Sequence, residues 1–100
     1  FNMDEILRKI TDAIEWYEAG EYKDLYKGHR ILVCNMYFLG QEQVKFHQEW
    51  NAAYYMSKGT SNAAKEREAD KLVPELYLCR KTLEAAKGVS IAMGHELKMN

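Results

Sequence analysis

The sequence predicts an all-α protein, with a short N-terminal helix followed by a long antiparallel helical hairpin with coiled-coil-like packing. Apolar residues recur at spacings of three and four along most of the 100 residues. Only one proline and six glycines interrupt this pattern. The apolar run 31–39 has no partner strand elsewhere in the chain, so it reads better as a buried helix than as a strand. We expect one helical domain over residues 1–100.

The first helix is predicted over about residues 4–19, where apolar side chains form a single stripe. Gly20 follows as the expected C-terminal stop. Phe1 and Asn2 stand before a methionine, so we expect them to be remnants of an expression vector and Met3 to be the native start.

The second helix is predicted over about residues 22–57. Gly28 and Gly40 weaken it, and either could mark a break or a close helix crossing. Seven residues are predicted to line one face: Leu25, Leu32, Met36, Leu39, Phe46, Trp50 and Ala53. Five more are predicted to widen that face on one side: Tyr26, Val33, Tyr37, Val44 and Tyr54.

The clearest turn covers residues 58–62. Gly59 is expected to end the second helix, and Ser61 or Asn62 is expected to cap the third.

The third helix is predicted to run from this turn to about Leu97. Pro74 is expected to kink it, because the proline ring clashes with the carbonyl of Asp70. The apolar stripe has a mean period of 3.5 residues, which is typical of left-handed helix packing. Its members are Ala69, Leu72, Leu76, Cys79, Leu83, Ala86, Ser90, Met93 and Leu97.

Two helices of this length would each extend about 54 Å at 1.5 Å per residue. One neighbour cannot cover the wide apolar face of the second helix, so we expect a homo-oligomer. Alternatively, the glycines or the proline break the helices and the chain folds as a compact monomer. The predicted oligomer interface consists of Leu72, Leu76, Leu83, Met36, Phe46 and Trp50.

No motif in the sequence predicts an enzyme, a cofactor or a metal site. His29 and His47 lie 18 residues apart, about five helical turns, and cannot share a metal. There is no HExxH, CxxC or phosphate-binding glycine loop. Cys34 and Cys79 are expected to be reduced thiols of a cytoplasmic protein. No apolar run approaches the roughly 18 residues of a membrane span.

The net charge of -1 conceals a polarity along the chain. Residues 1–20 carry two basic and five acidic side chains, whereas residues 58–100 carry eight basic and six acidic ones. Four of the basic residues cluster around the turn and are candidates for phosphate contacts: Lys58, Lys65, Arg67 and Lys71. Tyr54 and Tyr55 stand beside them and could stack nucleic-acid bases. The alternative is a solvated face with internal ion pairs, since acidic residues interleave with these cations.

The second half of the chain resembles small helical phage proteins that accompany recombination or replication, including the T4-type recombination mediators. The resemblance covers about residues 50–97. Three segments carry it: Trp50-Asn51-Ala52-Ala53-Tyr54-Tyr55, Arg67-Glu68-Ala69, and Tyr77-Leu78-Cys79-Arg80-Lys81-Thr82-Leu83-Glu84-Ala85-Ala86-Lys87.

This resemblance implies an oligomer that binds single-stranded DNA and helps to load a recombinase, in the host cytoplasm if the protein is phage-encoded. Its DNA-facing positions would be Lys58, Lys65, Arg67 and Lys71. The alternative function is a protein-binding adaptor or inhibitor that acts through the apolar helical face.

Overall fold

The computed structural model describes residues 2–20 and 22–99, and this part of the chain contains four α-helices and no strand. The helices are α1 (Met3–Glu18), α2 (Leu25–Met56), α3 (Asn62–Leu72) and α4 (Pro74–Met99). The predicted all-α class is confirmed. The molecule measures 56 × 25 × 19 Å. None of its helices is long and apolar enough to cross a membrane in the described range.

Helix α1 begins and ends at the residues that its local chemistry favours. Asn2 is the N-cap, and its side-chain oxygen accepts a hydrogen bond from the backbone N–H of Glu5 at 2.8 Å. Gly20 follows the helix with φ +74°, a left-handed conformation that glycine adopts without strain, and its N–H bonds to the carbonyl of Tyr17. The predicted stop is confirmed. Phe1 lies outside the described residues.

Helix α2 is continuous through both of its glycines, so neither one breaks it. Gly28 is a point of close approach: a Cβ atom built there would lie 2.1 Å from Cζ3 of Trp16 on α1. Gly40 has no atom within 4 Å of such a Cβ. Asp24 caps the helix by accepting a hydrogen bond from the N–H of Lys27 at 3.1 Å.

The turn between α2 and α3 differs from the prediction in one respect. Helix α2 ends at Met56, and Ser57 turns the backbone into the extended region, so Gly59 is not the residue that ends the helix. Gly59 instead packs tightly: a Cβ there would lie 3.0 Å from the Cβ of Ala64. Ser61 caps α3, as predicted, by accepting a hydrogen bond from the N–H of Ala64 at 3.1 Å.

The predicted third helix is two helices. Pro74 breaks it rather than kinking it, and Val73 between α3 and α4 has φ -129° and ψ 66°. The residue before a proline is driven out of the helical region, and a proline fits well at the first position of a new helix. At the break Val73 is buried and Leu72 is exposed, while Ala69 and Leu76, seven residues apart, are both buried.

The core lies where α2 packs against the other three helices. Its fully buried large side chains are Ile6, Ile10, Leu32, Leu39, Met93 and Cys79. The predicted apolar faces of α1 and α4 are therefore the buried ones. The apolar stripe predicted for the third helix is wrong at Leu72, which is 71% exposed.

One predicted part of the α2 face points away from the core. Tyr26, Val33, Tyr37 and Val44 are 63%, 42%, 65% and 58% exposed, so they do not widen the buried face. These four residues, hereafter the outward stripe, fall within about 40° of one another at 100° per residue. They lie about 100° from Leu25 and its heptad partners, because adjacent residues of a helix differ by that angle.

Candidate nucleic-acid interface

A ladder of aromatic rings runs along the C-terminal part of α2. His47 and Trp50 stack with ring centroids 6.4 Å apart, and Trp50 and Tyr54 stack at 5.5 Å. The rings meet because residues three and four apart lie on the same side of a helix. The indole N–H of Trp50 donates a hydrogen bond of 2.8 Å to the Asp70 carboxylate, which ties this ladder to α3.

The two tyrosines predicted to stack bases have different surroundings. Tyr54 is half-buried against Trp50, its hydroxyl donates a hydrogen bond to Asn62, and the ammonium of Lys65 lies 5.8 Å from its ring centroid. Tyr55 meets Tyr54 edge-on and is 79% exposed. The exposed ring of Tyr55 is therefore the one that an external base can reach.

The structure divides the four predicted cations between two sides of α3. Lys58 and Lys71 line one open groove of about 520 Å³, together with Glu68, Met56 and Leu72. Arg67 precedes Lys71 by one helical turn and is also exposed.

Lys65 lies apart from that groove. Its ammonium sits beside the ring of Tyr54, an arrangement that cation–π attraction stabilises. The predicted cluster therefore has a groove side and a tyrosine side.

The interleaved acidic residues do not form ion pairs with these cations. Within residues 2–20 and 22–99 the ion pairs are Lys9–Glu5, Lys45–Glu42 and Lys81–Glu84.

The acids nearest the turn instead accept hydrogen bonds from neutral donors. Glu68 is bonded by the hydroxyl of Ser57, and Asp70 by the indole of Trp50. The cations of the turn thus keep their hydrogen-bonding capacity for another anion.

The predicted oligomer interface is spread over several environments. Leu76 is only 3% exposed and packs inside the chain. Met36, Phe46 and Leu83 are partly buried against the core. Leu72 is the member of this set that presents a large apolar surface.

A polar cluster that the sequence did not reveal joins α1, the α1–α2 connection and α4. The hydroxyl of Tyr17 donates a 2.7 Å hydrogen bond to one Glu96 oxygen, and the hydroxyl of Tyr22 donates to the other. The two tyrosine rings stack at 5.4 Å. Glu96 lies more than 70 residues from both tyrosines, so no local pattern could have indicated the contact.

The hydrogen bonds of this cluster shift the acidity of its members. Those from Tyr22 and then Tyr17 lower the pKa of Glu96, because they stabilise the carboxylate. The bond to Glu96 raises the pKa of Tyr22 to about 12, since ionisation would remove the donated proton. The same cause raises the pKa of Tyr17.

Helices α2 and α4 also bring a serine and a histidine together. The Ser90 hydroxyl lies 3.3 Å from Nε2 of His29. No carboxylate is hydrogen-bonded to that imidazole in the described residues, so nothing there orients it as in a catalytic triad. In the same range, no group of three or more His, Cys, Asp or Glu side chains could hold a metal ion.

The two thiols differ in accessibility, and neither is in a disulfide. Cys34 is exposed on α2, whereas Cys79 is buried in the core. Burial raises the pKa of the Cys79 thiol, because it disfavours the thiolate.

Comparison with protein-family models, with curated proteins and with solved structures finds no significant match to this chain. The resemblance to phage recombination proteins therefore stays a prediction, and the case for function rests on the geometry of the turn.

Proposed function

We propose that this protein is a non-enzymatic helical oligomer that binds single-stranded DNA through the turn between α2 and α3 and assists DNA recombination or replication. One observation carries the proposal. The ring of Tyr55 at the end of α2 is exposed, and none of the four cations on the turn and α3 is in an ion pair in the described part of the chain: Lys58, Lys65, Arg67 and Lys71. Unpaired cations favour phosphate, and an exposed ring favours an unpaired base.

The proposal includes the antiparallel hairpin of α2 against α3 and α4. Three hydrogen bonds between α2 and the two later helices support this arrangement. In these bonds the residue number on α3 or α4 rises as the residue number on α2 falls. They join Tyr54 to Asn62, Trp50 to Asp70, and His29 to Ser90. We place the protein in the cytoplasm, that of the host if it is phage-encoded.

The test is the fluorescence anisotropy of a labelled oligothymidine, titrated with the protein at several salt concentrations. Binding is expected to weaken steeply as salt rises, because phosphate contacts release counterions. The double variant Lys65→Glu/Arg67→Glu is expected to bind at least about tenfold more weakly and to lower the salt slope by about two.

The matched control reverses two exposed cations elsewhere, Arg8→Glu and Lys23→Glu, with the same change in net charge. Lys23 lies at the opposite end of α2 from the turn. Equal losses in both double variants would indicate a general charge effect and no site at the turn. The absence of binding at the lowest salt would refute DNA binding altogether.

The groove beside the turn favours a second candidate, a protein-binding adaptor or inhibitor. Met56 and Leu72 are 82% and 71% exposed on its walls, and contiguous exposed apolar surface often marks protein contacts. In that case Leu72→Ser should abolish capture of a protein partner, and the chain should bind no oligonucleotide at any salt concentration.

A further inference from the structure

The outward stripe of α2 is an apolar surface that no other part of the described chain covers. It runs from Tyr26 to Val44, a length of about 27 Å at 1.5 Å per residue. Its members are between 42% and 65% exposed. The hydroxyl of Tyr37 accepts a hydrogen bond from Gln41 on the same helix. The stripe therefore faces solvent, about 100° around α2 from Leu25 and its heptad partners.

The positions of these residues are symmetric about position 35. Tyr26 and Val44 are each nine residues from it, and Val33 and Tyr37 are each two residues from it. Each mirror pair joins one tyrosine to one valine. A two-fold axis makes residue i of one copy contact residue j of the other, and the reverse. When two such stripes lie antiparallel, every large ring therefore meets a small side chain.

We propose that a second copy of this chain packs antiparallel against the outward stripe, with the two-fold axis at the level of Asn35. Tyr26 contacts the second copy's Val44, and Val33 contacts its Tyr37. This inference rests on the proposed self-association and names the surface that performs it. This surface differs from the interface that the sequence predicts. One member of that predicted interface, Leu76, is buried inside the chain.

The size of the stripe sets the strength of this contact. A strip about 27 Å long and about 10 Å wide covers roughly 270 Å² per copy, well below the roughly 800 Å² of a standard interface. The dimer is therefore weak and depends on protein concentration. This weakness is compatible with stripes that are exposed in the monomer.

The charges beside the stripe determine how salt acts on the dimer. The antiparallel register brings Lys27 of each copy to within two residues, or about 3 Å, of the level of Lys45 of the other, and Arg30 adds a third cation on the same side of the stripe. Lys45 is also paired with Glu42 of its own helix, which reduces the repulsion. Added salt screens this repulsion and is expected to strengthen the dimer. Single-stranded DNA binding has the opposite salt dependence.

Cys34 provides a natural probe of this register. Its exposed thiol lies one residue from the level of the axis, so the two thiols are offset by only about 3 Å along helices that pack 8–10 Å apart. Gln41 is exposed on the same flank, one heptad further on. In the proposed dimer, the two Gln41 positions lie about 18 Å apart along the helices.

The experiment treats the folded protein with a short bis-maleimide at high concentration and measures cross-linked dimer on a denaturing gel. The wild-type chain, which bears Cys34, is compared with Cys34→Ser/Gln41→Cys. Cys79 is retained in both because it is buried. The wild-type chain is expected to cross-link at least about tenfold more efficiently, since the reagent spans the two Cys34 thiols but not an 18 Å offset.

Val33→Glu and Ile31→Glu form a matched pair of variants. Both replace a β-branched residue of α2 that is 42% exposed, but Ile31 lies toward α1 and outside the stripe. Val33→Glu is expected to abolish the cross-link, because the two carboxylates would lie near the axis in an apolar contact. Ile31→Glu is expected to retain it, and circular dichroism checks that both variants fold.

Each other outcome overturns the proposal. Equal or stronger cross-linking through position 41 would indicate a parallel dimer or another register. Light scattering that shows a dimer without a Cys34 cross-link would refute this face and leave the proposed oligomer intact. A monomer mass near 11.7 kDa at every concentration and salt would refute both, without bearing on DNA binding.

Discussion

Gly28 is the position where a single added methyl group should disturb the structure most. In a Gly28→Ala variant, the new Cβ would lie 2.1 Å from Cζ3 and 2.6 Å from Cη2 of Trp16. Carbon atoms normally approach to about 3.5–4.0 Å, so the indole must retreat by more than 1 Å or the helices must separate. The indole also packs at 5.2 Å against the ring of Tyr22, which limits its movement.

Two opposing contributions set the magnitude. Overpacking a well-filled contact costs about 1–3 kcal/mol, and this overlap belongs at the upper end of that range. Replacing glycine by alanine inside a helix returns about 1 kcal/mol. We therefore expect Gly28→Ala to lower the free energy of unfolding by about 2 kcal/mol. For a domain of this size, that corresponds to a Tm about 10 °C lower.

Gly40→Ala is the matched control, since it makes the same change in the same helix where no atom lies within 4 Å of the new Cβ. It should raise the free energy of unfolding by about 1 kcal/mol. Urea denaturation, followed by circular dichroism in dilute protein, measures both. If Gly28→Ala is as stable as Gly40→Ala, the close contact with Trp16 does not exist. A double variant with Trp16→Leu should recover most of the loss if it does.

Three further predictions test individual features. Leu76→Ala should cost about 3 kcal/mol of unfolding free energy and Leu72→Ala less than about 0.5, because only Leu76 is buried; equal costs in urea denaturation would contradict the exposure of Leu72. Tyr22→Phe should raise the pKa of Glu96 in a carbon-13 NMR titration, since it removes the largest cause of the lowering. Because the folded-state pKa of Glu96 is lowered, its hydrogen bonds stabilise the protein at pH values above the unfolded-state pKa, and this stabilisation is lost as the pH falls through the folded-state pKa. An unchanged pKa of Glu96 in Tyr22→Phe would contradict the hydrogen bond. The buried Cys79 thiol should react with a chromogenic disulfide only as fast as the protein unfolds, and rapid reaction would contradict its burial.

Helix periodicity predicted the buried faces well where the pattern is uninterrupted. The stripes of α1 and of α4 after Pro74 are buried, although only α1 divides cleanly into one apolar and one polar face, since α4 also exposes Tyr77 and Ile91. The error at Leu72 has a local cause. A proline displaces the residue before it from the helical region, and at this break Val73 rather than Leu72 takes the buried position between Ala69 and Leu76.

The sequence did not reveal which part of the wide apolar face of α2 the other helices of the chain cover. Helix α2 has apolar residues on two faces, and periodicity alone does not determine which face other helices will cover. Leu32 and Val33 are neighbours in sequence, yet one is fully buried and the other is 42% exposed. The Glu96 cluster was missed because its contacts join distant parts of the chain, where a single sequence has no periodic signal.

The two proposals together predict how DNA length should affect binding. With the axis at Asn35, the Tyr54–Tyr55 ends of the two α2 helices lie about 57 Å apart, because each is 19 residues or more from the axis. An oligonucleotide of about 8 nucleotides can occupy one cation cluster. A much longer strand could bridge both and gain affinity from its high effective concentration.

This gain should depend on the dimer. At protein concentrations where the cross-link forms, a long oligothymidine should bind the wild-type protein more tightly per site than a short one. Val33→Glu should remove that difference and leave the short oligonucleotide's affinity unchanged, because residue 33 lies about 30 Å along the helix from the turn. An equal length dependence in both proteins would mean that the two ends do not act together. A loss of short-strand affinity in Val33→Glu would place DNA on the outward stripe itself.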